Sequence, residues 1–207
     1  ANSGGTVNGD GKFVGNNGAA DNRLLIDEDL SQEIISGLGT GNDKVHNNSI
    51  EVSAGIIDER IIGGMSEGDG DIDSNSITIS GGSMRRRVYG AYTEGSGAVT
   101  NNKVIISGSM TEMNRDPVTG ALSIGSGTVA YNSVTATGGN IYSIFGGGSV
   151  EGIAEYNSVT VEGDTIIEDR VAGGMAMKGV ARHNSVTISG TAEINRKVFG
   201  ANIEASG

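Results

Sequence analysis

Four sets of side chains in this sequence could do chemistry, and their spacing decides which chemistry is open to them. The segment Glu67-Gly68-Asp69-Gly70-Asp71-Ile72-Asp73 alternates carboxylates with small residues, a pattern by which hard oxygen ligands can converge on Ca²⁺ in a tight loop. It fails the EF-hand spacing, because the twelfth position counted from Asp69 is Ser80 where a bidentate Glu is needed, and tandem Ca²⁺-binding nonapeptides are missing. Asp69, Asp71 and Asp73 are therefore weak metal candidates, and neither a bound metal nor another cofactor is expected. His46 and His183 are the two histidines, and they stand at or near positions filled elsewhere by Ser74, Asn101, Tyr131 and Tyr156. That placement makes them turn-surface residues and leaves no catalytic constellation to assign.

The third set is basic. Lys12, Glu33, Arg60, Arg87, Pro117, Ser143, Arg170 and Lys197 recur mostly 27 residues apart and are basic in five of eight cases. Stacked like charges repel, so acids are expected to interleave, as Asp58, Glu59, Glu168 and Asp169 do in their segments; Arg85-Arg86-Arg87 makes one segment strongly basic. The plain reading is a solvated edge with weak surface ion pairs. The functional reading is a cationic stripe, with Arg60, Arg87, Arg170 and Lys197, that docks an anionic glycan or a partner protein. Arg115, in an insertion spanning Met110 to Thr119 with Asp116 and Pro117, is the place to look for specificity. The last set is neutral. Tyr89, Tyr92 and Tyr142 offer rings for sugar stacking, although their imperfect alignment favours packing. The pairs Ser76/Thr78, Ser133/Thr135, Ser158/Thr160 and Ser185/Thr187 form hydroxyl rows of the kind that bind ice, but Glu51 and Lys103 interrupt them.

These sets need elements to hold them, and the sequence supplies a repeat. Asn followed by an alternating apolar triplet begins at Asn48, Asn75, Asn102, Asn132, Asn157 and Asn184, spaced 27, 27, 30, 25 and 27, with Asn22 as a degenerate earlier copy. About fifteen residues later in each unit comes a second column of two largely apolar residues before a small pair: IIGG from Ile61, VYGA from Val88, VTGA from Val118, IFGG from Ile144, VAGG from Val171 and VFGA from Val198. Both columns shift together through the insertion near Pro117, which chance composition does not explain. In the Asn segment Ile50 and Val52 share one face and Ser49, Glu51 and Ser53 the other, the period of two that marks a strand. A third, weaker strand lies near Val99, Val129, Ile153 and Val180. Three short strands and three turns per unit describe one coil of a β-solenoid, since a propeller blade needs about 40 residues and a leucine-rich repeat needs a Leu framework. The Asn column is expected to form a structural ladder in which each amide donates to one neighbour and accepts from the other.

Composition agrees. The chain has 36 Gly among 207 residues, about 17 percent against an average near 7 percent. It has 22 Ile and 17 Val but 5 Leu, which favours strands over helical bundles. Gly is expected at coil corners that need positive φ. Net charge is −11, which disfavours sequence-independent binding to nucleic acid. No run of 18 apolar residues exists, so no transmembrane helix is expected, and the opening Ala1-Asn2-Ser3-Gly4-Gly5 lacks the regions of a signal peptide.

The pattern Asn-Ser-Val-Thr-Ile-Ser-Gly, then an apolar pair with Gly-Gly, then Gly-x-Ala before the next Asn, resembles the repeat regions of large bacterial autotransporter passengers. Asn75 to Ala98 and Asn184 to Ala201 are the clearest copies, and the resemblance covers about residues 12 to 207. Trimeric autotransporter heads use similar strands but a much shorter repeat. The resemblance implies an all-β fold, a single-stranded right-handed parallel β-helix of about seven to eight coils of about 27 residues, exported and displayed at the bacterial cell surface or outer membrane. The expected unit is one continuous solenoid over 1–207, excised from a longer array, because the last repeat stops without an amphipathic cap. The expected function is a non-enzymatic structural and adhesive rod that mediates adhesion or cell–cell aggregation. Its expected partners are a host or bacterial surface protein or glycan, with self-association as a further mode. The alternatives are a glycan-acting β-helical enzyme and a phage fibre segment.

Overall fold

A computed structural model describes residues 2–108 and 115–203; Met110–Asn114, part of the insertion read above as a specificity loop, lie outside the described residues. Among the described residues there is no helix, and the chain winds as a parallel β-solenoid. Seven Asn strands, Arg23–Ile26, Ser49–Val52, Ser76–Ile79, Lys103–Ile106, Ser133–Ala136, Ser158–Val161 and Ser185–Ile188, stack as one parallel sheet with six full turns between the first and last. A longer-stranded sheet contains Ile34–Gly39, Ile61–Ser66, Val88–Thr93, Ile144–Ser149, Arg170–Ala176 and Lys197–Ile203, and a six-stranded sheet of short segments runs from Val45–His46 to Val180–Arg182. A fourth ladder, unanticipated by the three-strand reading, pairs two-residue segments at one corner, such as Ile56–Ile57 with Ser83–Met84.

Register follows the repeat directly. Ile77 faces Ile50 on one side and Val104 on the other, and each strand pairs with the strand one unit away. Inside the coils, Ile50, Val52, Ile77, Ile79, Val104 and Ile106 meet Ile61, Val88, Val118 and Ile144 across a narrow core. Each fully buried Ile or Val contributes about 1.5–3 kcal/mol, and every coil depends on its neighbours to cover that surface.

The Asn ladder forms as expected. From Asn22 to Asn157, the backbone N–H and the side-chain Nδ2 of each Asn both donate to Oδ1 of the Asn one coil later, at 2.8–3.1 Å. At the first coil the Asn17 N–H donates to Asn22 Oδ1 at 2.6 Å, standing in for an earlier rung. The N-terminal residues also cover this edge: Gly5–Val7 pairs antiparallel with Phe13–Gly15, and Ser3 exchanges two backbone hydrogen bonds with Leu25. The repeat pattern carries no sign of that antiparallel cover.

Glycine has two uses, and only one is the corner. Gly55, Gly82, Gly108, Gly139, Gly163 and Gly190 do turn the chain after the Asn strand at positive φ. The glycines of the long strands have ordinary φ and serve close approach: a Cβ on Gly90 would stand 2.2 Å from the Gly120 carbonyl oxygen. The corner before the Asn strand carries no glycine. Asp21, Asn47, Ser74, Asn101, Tyr131, Tyr156 and His183 hold it at φ 54° to 58°, a conformation that costs L-residues roughly 1–2 kcal/mol each.

Candidate functional site

The basic column is real in three dimensions. Backbone N–H groups of Phe13, Ile34, Ile61, Val88 and Val118 donate to the carbonyls of Glu33, Arg60, Arg87, Pro117 and Ser143, so these residues stack one above another where the chain enters the long strands. The acids interleave as charge repulsion requires. Arg60 Nη2 meets Glu33 at 2.5 Å, Arg85 meets Asp58 at 2.8 Å, Arg87 Nε meets Asp116 at 3.1 Å and Arg170 Nε meets Asp169 at 3.3 Å. Lys197 is exposed on the last described coil and registers against Arg170. Arg115 lies at the flank of this column, with Tyr142, Glu168, Asp169 and Arg196 around a surface depression.

Charge is segregated along this corner. The three residues before each apolar pair hold nine of the 14 basic residues and seven of the 25 acids, so the rest of the chain carries five basic residues against eighteen acids. A weakly positive ridge thus runs along a strongly negative body, and the ridge is where an anionic group meets least repulsion.

Beside the ridge lies an apolar groove that sequence reasoning missed. The long strands bend at a central small residue, usually Gly, and their outward side chains on either side of the bend face each other. One row runs Ile35, Ile62, Tyr89, Thr119, Phe145 and Ala172, and the other Leu38, Met65, Tyr92, Leu122, Gly148 and Met175. In the first coils the groove is filled: Ile35, Ile62, Tyr89 and Tyr92 form a buried cluster backed by Leu38 and Met65. Tyr89 is 2% and Tyr92 8% exposed, so these rings pack rather than offer faces to a sugar, while Tyr142 is half-buried in a different surface. The Tyr92 phenol is pushed up to about 12, first by burial and then by its hydrogen bond to Glu94.

The ridge and the groove share side chains. The Arg60 guanidinium lies 5.7 Å from the Tyr92 ring centroid, and Arg170 lies at the same distance from Phe145. Arg87 Nη1 donates to the Tyr89 hydroxyl at 3.2 Å, and that bond, with Asp116 behind it, holds the guanidinium above its ordinary value. The outward-facing alternation that would reveal the groove is present in the sequence, but both sides of each long strand are apolar, so the strand reads as core on both faces.

The structure does not bring the acidic run together. Asp69 accepts from the Ser96 N–H and hydroxyl, Asp71 from the Ala98 N–H, and Asp73 from Thr100 Oγ1 and Asn101 Nδ2, each at 2.8 Å and each to the following coil. The Ser96 N–H, then its hydroxyl, hold Asp69 below the usual carboxylate range. Burial works to raise Asp73, but Asn101, Thr100 and Ser74, with Lys44 nearby, outweigh it and lower the group. Among the described residues no three His, Asp or Glu side chains group as metal ligands would.

The histidines part company. His46 is not in the turn column; it ends the strand Val45–His46, and Asn47 takes the left-handed corner. His183 does occupy the corner and extends a stack the sequence did not reveal: Tyr131 and Tyr156 lie 5.2 Å apart at 5°, and Tyr156 and His183 5.1 Å apart at 11°. The hydroxyl rows align on the Asn sheet but Lys103, Ile105 and Glu51 break them. A depression on that sheet holds Asp27 and Glu51, a carboxylate pair of interest to a hydrolase, yet Glu51 is tied to Arg23 at 2.9 Å.

The fold and the ridge define a β-solenoid rod with a basic, apolar-backed outer face. Comparison with protein-family models, curated proteins and solved structures finds no match to this chain. No helix among the described residues is long and apolar enough to cross a membrane, which leaves β-barrels unaddressed.

Proposed function

We propose that this chain is a segment of a non-enzymatic adhesive rod, displayed at a bacterial surface in the manner of an autotransporter passenger and used for adhesion or cell–cell aggregation. The observation that carries the reading is the basic ridge stacked over successive coils with an apolar face beside it, a geometry suited to repeated weak contacts. Such contacts gain strength when several are engaged at once, so a rod binds through avidity without a deep site. The committed carboxylates Asp69, Asp71, Asp73 and Glu51 favour this reading over a glycan-cleaving enzyme, because paired-carboxylate hydrolysis needs two acids free to face substrate.

Two measurements test it. Beads coated with the protein should adhere to bacterial or host cells, less so as salt rises, and a variant with Arg60, Arg87 and Arg170 changed to Gln should adhere less. A screen of acidic and neutral polysaccharides should give no turnover. Cleavage that disappears on substituting Asp69 or Asp71 would replace the adhesive reading with an enzymatic one.

A further inference from the structure

The groove is filled over its first coils and leaves a pocket further along, at the coil of Thr119. Thr119 stands in the row between Tyr89 and Phe145, where its short side chain leaves a cavity of about 190 Å³. Leu122 and Met175 form the opposite wall, closing over Gly148, where an added Cβ would lie 3.1 Å from Leu122 Cδ1 and 3.8 Å from Met175 Cε. Pro117 lines one end, and Arg87 and Arg170 stand at the rim. The cavity is of the size of one large side chain, apolar within and cationic at its edge.

We propose that this pocket docks an extended acidic peptide segment of a protein partner, which seats one large apolar side chain above Thr119, against Leu122, Met175 and Pro117, and sets carboxylates against Arg87 and Arg170. The proposal rests on the adhesive reading and names its partner class. Three observations choose a peptide over a glycan. The rings are not available as stacking platforms, since Tyr89 is 2% and Phe145 5% exposed and Arg170 covers the Phe145 face. The remaining wall is Leu122, Met175 and Pro117, which complements an alkyl or aryl side chain better than hydroxyls. The negative body repels acidic segments everywhere except along the ridge, which fixes where such a peptide lies.

The spacing also sets the motif. Arg87 and Arg170 belong to coils three steps apart, about 14 Å at the usual separation of paired strands, and an extended chain advances about 3.3 Å per residue. Side chains at alternate positions of an extended peptide share a face. An apolar residue flanked two positions away on each side by an acid therefore spans both arginines with its anchor over the pocket. Arg87 already uses two donors, toward Asp116 and Tyr89, of the five that a guanidinium presents.

The test uses a fluorescein-labelled peptide built on Glu-Ser-Phe-Ser-Glu, read by polarisation against the whole chain. Thr119→Tyr continues the Tyr89 and Phe145 row and fills the cavity, so it should weaken binding at least about tenfold while leaving the melting temperature equal or higher. The rim variant Arg87→Gln with Arg170→Gln, which keeps Thr119, Leu122 and Met175, should weaken binding and flatten its salt dependence. Replacing the central Phe of the peptide by Gly should abolish binding. Absence of peptide binding to the unaltered protein, binding indifferent to Thr119→Tyr, or displacement of the peptide by polygalacturonate would each overturn the proposal. Beads that keep adhering after Thr119→Tyr has removed peptide binding would show the adhesive reading right and this pocket wrong as its site. Peptide binding that obeys the pattern without any adhesion would support the pocket and sink the adhesive reading.

Discussion

Replacing Asn102 by Ala tests the ladder at a fully buried rung. Asn102 is fully buried; its Oδ1 accepts from Asn75 N at 3.0 Å and Nδ2 at 2.9 Å, and its own Nδ2 reaches Thr100 O at 2.8 Å and Asn132 Oδ1 at 2.9 Å. Ala removes all four bonds and a longer one from Nδ2 to the Ile72 carbonyl at 3.5 Å. The Asn75 side chain keeps carbonyls of Val45 and Asp73 at 3.3 and 3.2 Å, but the buried Asn75 backbone N–H loses its acceptor. One orphaned buried donor costs about 1–3 kcal/mol and a lost but replaceable bond about 1 kcal/mol, so the expected loss is about 3 kcal/mol. Asn184→Ala, on a half-buried rung of the last coil, should cost about 1 kcal/mol because water replaces the lost partners. Urea midpoints at unchanged m-value measure both, and amide exchange at Asn75 reports the local opening. An Asn102→Ala loss below about 0.5 kcal/mol, well under the cost of one buried orphan, or a still-protected Asn75 amide, would refute the ladder as a source of stability.

Two other perturbations separate causes that composition alone merges. Gly90→Ala should destabilise by about 1–3 kcal/mol, since its Cβ would meet the Gly120 carbonyl oxygen at 2.2 Å, whereas Gly148→Ala should be near neutral because it meets two flexible side-chain ends; thermal melts decide. Acid should weaken the stack through Asp69 and Asp73. Both are lowered in the folded protein, so below the ordinary carboxylate value the unfolded chain binds more protons, and the stability they supply is complete above that value and lost as pH falls from it through the lower value of the folded state. Urea midpoints taken from pH 6 down to pH 3 should fall more steeply for the natural chain than for Asp73→Asn with Asp69→Asn, and parallel slopes would count against these hydrogen bonds.

What the sequence determined by itself is whatever depends on the repeat. In a solenoid the neighbour of a strand is the same strand one unit later, so a column of residues in the aligned units is already a list of contacts. That is why the Asn ladder from Asn48 to Asn184, the inward Ile and Val of the Asn strands and the stacked basic residues from Arg60 to Lys197 were legible before any coordinates. The tertiary structure decided whatever depends on angles within a coil. The bend at Gly90 and its equivalents turns two outward rows toward each other, so Tyr89 and Tyr92 become buried and Thr119 becomes a pocket; no spacing along the chain encodes that angle. The same holds for the carboxylates of Asp69, Asp71 and Asp73, which alternate as metal ligands would but point along the axis to the next coil, where backbone N–H and side-chain donors take them up one by one. Period fixes which residues are neighbours, and only the fold of each coil fixes which way they face.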